Sequence, residues 1–232
     1  IPLSVREAAS ATLCAIVMAG SGTLDRYKGQ LHEALRDNGS TIMDGVVAQK
    51  GIERCAAIIE ESMEMDASPL LERQLAATMM YLCGIPGPRP QGLLETVVRL
   101  LASQNRQVVH CTTMAIWLLA HDERNRENLG DLWAIDGLLK VSKANSDLKL
   151  KEYIVSALWM LCAPLDDGRS KNAVRIAMRG GLQHIVAMLN FDFRESETYI
   201  PLVTLCVGLL FGMISQHQDI QIVVEQMCIG GA

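Results

Sequence analysis

Histidine and cysteine side chains can act as bases, nucleophiles or metal ligands, but in this sequence they do not cluster. The 232 residues include five histidines and seven cysteines, with no C-x-x-C pair and no H-E-x-x-H motif. His110 and Cys111 are adjacent on a predicted helix, so their side chains point about 100° apart and cannot pair as base and nucleophile. Gly20-Ser-Gly22 is too short for a dinucleotide fingerprint, and no strand precedes it. The sequence therefore predicts no catalytic residue, no metal, no cofactor and no enzyme activity.

The cysteines fall mostly on apolar faces of predicted helices. Their odd number and wide spacing predict buried, reduced thiols in a cytoplasmic protein rather than a disulfide framework. The seven positions are Cys14, Cys55, Cys83, Cys111, Cys162, Cys206 and Cys228.

A row of basic side chains is the candidate for recognition by charge. Lys171, Arg175 and Arg179 are four residues apart on one predicted helix, and Arg169 precedes them. Residues four apart share one face of a helix. Such a row could bind an acidic partner or the anionic cytoplasmic face of a membrane, or it could be a solvated outer face. The sequence leaves these interpretations open.

The elements that would position these residues are mostly apolar helices with small residues near their middle. A helix that is apolar on most sides must be buried on most sides, and several such helices in one chain indicate stacked units that cover one another. The segments are residues 8–19, 73–83, 110–120, 156–162 and 201–211.

Composition narrows the class of protein. Half of the residues are hydrophobic but only 4% are aromatic, which favours stacked helices over a sandwich or a barrel. The formal net charge of −5 argues against a nucleic-acid binder, which usually carries a basic domain or stripe. The apolar runs are shorter than the roughly 20 residues of a membrane span.

Glycines recur at a period of three short helices. They fall at Gly51, Gly92, Gly137, Gly181 and Gly231, and a period of about 40 to 47 residues is typical of armadillo and HEAT repeats. We expect a glycine at the turn between the first and second helix, where positive φ is cheap for glycine. Residues 85–91 hold three prolines, which predict a loop.

Two segments resemble armadillo repeats: N-R-E-N-L-G-D-L-W-A-I-D-G-L-L-K-V, residues 125–141, and N-A-V-R-I-A-M-R-G-G-L-Q-H-I-V-A-M-L, residues 172–189. The resemblance implies an all-α, right-handed solenoid of about five three-helix repeats, the first and last partial. It implies one domain over residues 1–232, with units near 1–22, 23–84, 85–122, 123–164, 165–214 and 215–232. In its size and repeat-only build the chain is also similar to the armadillo-repeats-only adaptors of apicomplexan parasites, which are lipid-anchored on the rhoptry surface.

The resemblance also identifies a groove lined by the third helix of each repeat. Peptide-binding members of the family use an Asn there to hydrogen-bond an extended peptide and a Trp one turn earlier to stack on it. Here the Asn position falls on Val17, Tyr81, Leu118, Met160 and Leu209, and the Trp position on Leu13, Ala77, Met114, Ser156 and Leu205. Apolar replacements cannot supply the donor and acceptor of an Asn, so we do not expect the extended-peptide mode.

An apolar, Met-containing surface remains at the predicted groove. Such a surface suits an amphipathic helix that binds through apolar side chains spaced one turn apart. The same side chains could instead belong to the apolar core between repeats. The groove candidates are Tyr81, Met114, Trp117, Leu118, Ser156, Trp159 and Met160.

The sequence thus favours a monomeric, non-catalytic scaffold that binds a helical segment of a partner protein through this groove. One alternative is a lipid-anchored adaptor on the cytosolic face of an organelle, recruiting a motor or another effector. Its membrane association would come from a segment outside these residues. A second alternative, a transport receptor for basic signal peptides, is disfavoured because the Asn and Trp positions are not occupied by those residues.

Overall fold

In the computed structural model, the structure describes residues 3–20, 50–65, 68–164, 168, 170–189, 197–217 and 219–222. It divides the chain into two compact units, residues 1–119 and 120–232, a division close to the predicted repeat boundary at 122. All regular secondary structure in the described ranges is helical. Residues 23–49 of the predicted unit 23–84 lie outside these ranges. The same is true of Arg169, Cys228 and Gly231.

The first unit contains five α-helices and one 3-10 turn within its described residues. In chain order these are α1 (Leu3–Gly20), α2 (Gly51–Met65), α3 (Pro69–Cys83), α4 (Gln91–Arg99), the 3-10 turn Leu100–Ala102 and α5 (Arg106–Leu119). Helix α3 packs against α1, α2 and α5. It is therefore the central element, and its core side chains Leu75, Met79 and Leu82 are at most 4% exposed.

The second unit shows two successive three-helix groups in the part of the chain that the structure describes. They are α6 (Glu123–Asp131), α7 (Ala134–Ala144) and α8 (Leu148–Leu161), then α9 (Lys171–Met178), α10 (Gly181–Ala187) and α11 (Ile200–Gln216). The third helices α8 and α11 pack side by side, and the first helices α6 and α9 also contact each other. This sequential packing is what the predicted repeat requires.

Several helices begin at a residue whose side chain caps their first turn. Ser68 accepts a hydrogen bond from the backbone N–H of Leu71 at 3.2 Å, and Pro69 follows it in the first turn of α3. Asp122 accepts from the N–H groups of Arg124 and Asn125 at the start of α6. Asp147 caps α8 in the same way. The predicted proline loop is also confirmed, since regular structure resumes only at Gln91.

The turn between first and second helices differs from the glycine prediction at several repeats: Gly92 lies inside α4, and the left-handed residue beside Gly51 is Lys50, with φ 58°. Gly180 adopts the left-handed conformation, with φ 72°, before α10, as expected for glycine. Gly137 was predicted to break the helix, but it lies inside α7, and the left-handed residue is Trp133 with φ 68°. A non-glycine residue pays about 1–2 kcal/mol for that conformation. The Trp133 ring stacks on the Arg179 guanidinium, 4.2 Å from the ring centroid, and this contact helps to offset the cost.

Candidate partner-binding surfaces

The four groove candidates of the first unit lie on α3 and α5, which pack side by side. Tyr81, Met114, Trp117 and Leu118 are all half-buried, and we call them the first-unit patch. Leu118 approaches Gly84, where a Cβ would lie 3.9 Å from its methyl group. Between these positions α5 directs Ala115, Ile116 and Leu119 into the core, where each is at most 2% exposed.

The three groove candidates of the second unit lie near the C-terminal end of α8. Ser156 and Met160 are half-buried and Trp159 is 42% exposed; we call these three the second-unit patch. The Ser156 hydroxyl donates to the carbonyl oxygen of Glu152 at 2.8 Å, so its polar group is already satisfied by its own helix.

Trp159 is positioned by two glycines of α11. A Cβ at Gly208 would lie 2.6 Å from the indole ring, and a Cβ at Gly212 would lie 3.6 Å from the indole nitrogen. The ring therefore packs directly on the bare backbone of α11 at Gly208. Because 42% of the side chain remains exposed, Trp159 offers both a fixed orientation and apolar surface, a combination that suits an anchor for a partner.

The predicted basic row is paired with acidic side chains of the preceding repeat. The Lys171 ammonium lies 3.3 Å from a carboxylate oxygen of Glu127. Arg175 forms an ion pair with Asp131, and Arg179 forms one with Asp136. The acids at 127 and 131 lie 44 residues before the bases they meet. We call these three pairs the ion-pair ladder.

The pairing changes the interpretation of that row. The side chains of Arg175 and Arg179 are only 26% and 28% exposed, whereas that of Lys171 is 76% exposed. Two of the three cations therefore lie within an interface between repeats rather than on a solvated outer face. Three cations opposed by three carboxylates carry no net charge, which leaves little attraction for an acidic partner or an anionic membrane.

Asn172 adds a buried hydrogen-bond network beside the ladder. Its side-chain amide donates to the carbonyl oxygens of Arg126 and Leu161, each at 3.0 Å, and its oxygen accepts from Arg175 at 2.8 Å. The residue is 3% exposed. This close approach needs Gly130, because a Cβ there would overlap the Asn172 side-chain oxygen. One side chain thus joins α6, the end of α8 and α9.

The sequence interpretation missed the acidic half of the ladder, Asn172 and Gly130. A usable signal was present: Glu127 and Asp131 stand one repeat length before Lys171 and Arg175. Reading equivalent positions of neighbouring repeats for opposite charge would have paired them.

An open depression of about 1070 Å³ lies in the first unit at the N-terminal ends of α3 and α5. Its polar lining includes Arg73, Gln104 and His110. The carboxylate of Glu72 there accepts a hydrogen bond from the side-chain amide of Asn105 at 3.0 Å. His110 precedes Met114 by one turn of α5, so the third-helix face is polar at its start and apolar toward its end.

The buried thiols are poor nucleophiles. Burial raises the pKa of Cys55, Cys83 and Cys206 to about 12, and it raises the pKa of the Cys162 thiol further. Burial also raises the pKa of the Cys14 and Cys111 thiols. A thiol reacts as its thiolate, so these side chains behave as small apolar groups at neutral pH.

A histidine and a serine come close together in the second unit. His184 lies 2.8 Å from the Ser142 hydroxyl, a pairing that can activate a nucleophile. Burial, followed by the charges of Lys143 and Lys151, lowers the pKa of His184. Ser142 is only 1% exposed on α7, so a substrate cannot reach it, and the pair is structural.

Neither a metal-binding cluster nor a membrane-spanning helix occurs among the described residues. Within those ranges no group of three or more His, Cys, Asp or Glu side chains has a geometry that could hold a metal ion. Among the described helices none combines the length and the hydropathy required to cross a bilayer.

Comparison with known proteins gives the fold. No protein-family model matches the sequence, and no curated protein matches it. The structure is similar to the crystal structure of an engineered protein, Northeast Structural Genomics Consortium target OR329, with a TM-score of 0.63 and 15% identity over 90% of this chain and 73% of that one. A second engineered protein, target OR497, matches with a TM-score of 0.63 and 15% identity over 80% of this chain; the chain spans 43% of its length. The chain is therefore an all-helical protein with sequentially packed helices, structurally like these engineered proteins.

Proposed function

We propose that this chain is a non-catalytic armadillo-type scaffold that binds a helical segment of a partner protein through the apolar faces of its third helices. The observation that carries the proposal is the partial exposure of the first-unit and second-unit patches. Fully buried side chains could not contact a partner, and fully exposed ones would lack a fixed orientation. Half-buried Met and aromatic side chains on a packed helix are typical of surfaces that recognise amphipathic helices.

The chemistry of the patches favours a helix over an extended strand. An extended peptide needs its backbone donors and acceptors satisfied along its length. The Asn positions of the family hold Tyr81 and Leu118 in one unit and Met160 in the other, and Ser156 hydrogen-bonds to its own helix. A helix forms its backbone hydrogen bonds internally, so it needs only apolar contact from these patches.

The test is selection from a peptide library that displays both amphipathic helices and extended sequences. We expect helices to be enriched. Leu118→Glu and Met160→Glu should each weaken binding of the selected helix at least tenfold, about 1.4 kcal/mol, because each places a charge on a face that must lose water. Met178→Glu is the matched control, since Met178 is 82% exposed on α9, outside both patches.

Two results would contradict this function. Enrichment of extended peptides would show that the patches hydrogen-bond to the backbone of a peptide. Unchanged affinity in a folded Leu118→Glu or Met160→Glu variant would remove that position from the binding surface. The melting temperature is measured first, because a sharp drop would show that the side chain belongs to the core between repeats.

The link to lipid-anchored rhoptry adaptors stays a prediction. Membrane attachment would require a lipidated segment or a cationic surface that binds anionic lipids. The cations of the ion-pair ladder are paired with carboxylates, so the ladder does not provide such a surface.

A further inference from the structure

Arg126 of α6 is a buried cation whose charge the ion-pair ladder does not balance. The residue is 9% exposed, and its Nε has no hydrogen-bond partner among the described residues. Within the same ranges its guanidinium forms no ion pair. Two carboxylates of α6, those of Glu127 and Asp131, pair with cations of α9 instead. A buried charge is costly unless it is paired and hydrogen-bonded, so one positive charge and one N–H donor are left over at this junction.

A small cavity lies beside this side chain, between α6, the end of α8 and the start of α9. Its volume is about 10 Å³, and its lining includes Arg126, Ser170, Lys171 and Asn172. That volume holds about one water-sized particle. An occupant is therefore a single water molecule or a monatomic ion, because phosphate, sulfate and carboxylate groups are too large.

The cavity also lies at the N-terminal end of α9, which begins at Lys171. Ser170 holds the N-cap position, but in the described part of the chain its side chain makes no capping hydrogen bond. Its hydroxyl instead donates to the carbonyl oxygen of Leu161 at 3.5 Å. The first N–H groups of a helix need partners from outside the helix, and the helix dipole favours a negative charge there.

The charges around the cavity distinguish between the two possible occupants. Lys171 is paired with Glu127, whereas Arg126 and the start of α9 both present N–H donors and positive potential without a compensating acid. A water molecule could accept a hydrogen bond here but would leave the charge of Arg126 unbalanced. We propose that this cavity binds one chloride ion, which accepts a hydrogen bond from the Nε–H of Arg126 and caps the first turn of α9.

Bound chloride adds a third kind of contact between these two repeats, beside the ion-pair ladder and the amide of Asn172. It joins α6 to α9, which already contact each other. A ligand that binds the folded chain and not the unfolded chain stabilises the fold by mass action. The stability of the second unit therefore depends on chloride as a specific ligand, in addition to the general screening that any salt exerts on the exposed ion pairs.

Thermal unfolding at constant ionic strength tests the proposal, with sodium chloride exchanged for sodium gluconate, whose anion is too large for the cavity. We expect the melting temperature to rise with chloride and then to saturate. Arg126→Gln removes the charge and should raise the chloride dissociation constant from this titration at least about tenfold. Arg124→Gln is the matched control, because Arg124 is exposed on the same helix and its loss should leave the chloride dependence unchanged.

Diffraction from wild-type crystals in sodium bromide locates the ion directly, and it decides the question if Arg126→Gln does not fold. We expect an anomalous peak inside the cavity, in contact with the Nε of Arg126. A wild-type melting temperature that is independent of chloride at fixed ionic strength overturns the proposal and assigns the cavity to water. A folded Arg126→Gln variant with wild-type chloride dependence overturns it as well, and so does an anomalous map without a peak in the cavity.

Discussion

Neighbouring repeats in the second unit are joined by two layers of different chemistry. The first-helix layer, α6 with α9, is joined by two pairs of the ion-pair ladder, Lys171 with Glu127 and Arg175 with Asp131, and by the buried amide of Asn172. The third-helix layer, α8 with α11, is joined by apolar side chains and by the ring of Trp159 on bare glycine backbone. Polar pairs are directional and fix register, whereas apolar contact supplies most of the stabilising free energy. The first-helix layer therefore determines which repeats fit together, and the third-helix layer determines how strongly they are held together.

The largest expected effect comes from the third-helix layer. Leu158 is 0% exposed on α8, and Leu158→Ala should lower the free energy of unfolding by about 2–5 kcal/mol because it leaves a cavity. Val207 falls on Leu158 when residues 205–211 are aligned with 156–162, and it is 52% exposed on α11. Val207→Ala should change the free energy of unfolding by less than about 0.5 kcal/mol. Denaturant unfolding measures both. Equal costs would show that Val207 is as fully packed as Leu158.

Gly130 tests the first-helix layer at its closest contact. Gly130→Ala should lower the free energy of unfolding by about 1–3 kcal/mol, because the added Cβ overlaps the Asn172 side chain. Gly92→Ala is the control, since a Cβ there meets nothing within 4 Å and alanine favours the helix. If both variants were equally stable, the contact between Gly130 and Asn172 would not hold the layer together.

The buried thiols of the third helices should make stability depend on alkaline pH. Burial raises the pKa of Cys83 from 9.0 to about 12. The unfolded chain therefore ionises first, and the stability from keeping this thiol neutral is full below pH 9 and is lost as pH rises toward 12. At pH 10 the loss is about 1.4 kcal/mol.

The Cys83→Ser variant, which lacks the thiol, isolates this effect. Its free energy of unfolding should fall less steeply than that of the wild type between pH 9 and 11. Parallel curves would exclude Cys83 as the cause. In native protein at pH 8, thiol reagents should label these buried cysteines far more slowly than in denatured protein.

The smallest effect belongs to the most exposed ladder pair. Lys171 and Glu127 have side chains that are 76% and 42% exposed, so Lys171→Ala should lower the free energy of unfolding by less than about 1 kcal/mol. The difference should vanish at about 1 M salt, where the screening length is roughly 3 Å. Lys140→Ala on the exposed side of α7 is the control. A larger, salt-insensitive loss would indicate that Lys171 packs through its aliphatic stem.

The helices themselves could be predicted because their signals are local. Apolar spacing and a capping Asp or Ser lie within a few residues of each other, so Asp122, Asp147 and Ser68 mark real helix starts. Local signals failed at Gly137, where glycine alone was taken to mark the turn. The turn occurs at Trp133, whose left-handed backbone is accompanied by a contact with Arg179, one repeat away.

Contacts between repeats were harder to predict from the sequence. The spacing of Lys171, Arg175 and Arg179 on one face was correct, but their partners lie about 44 residues earlier and no local pattern names them. The exposure of Trp159 depends on the absence of side chains at Gly208 and Gly212 on another helix. The groove positions come from alignment to the repeat and stay a prediction. The partner also stays a prediction, because no residue pattern encodes it.

The ion-pair ladder also limits how such a chain can evolve by duplication. Acids on the first helix of one repeat require bases on the first helix of the next, as Glu127 and Asp131 require Lys171 and Arg175. Two copies of the acidic repeat placed in tandem would set carboxylate against carboxylate at the junction. Each repeat therefore has a charge pattern that fits one particular neighbour, and these charges determine the order in which the repeats can follow one another.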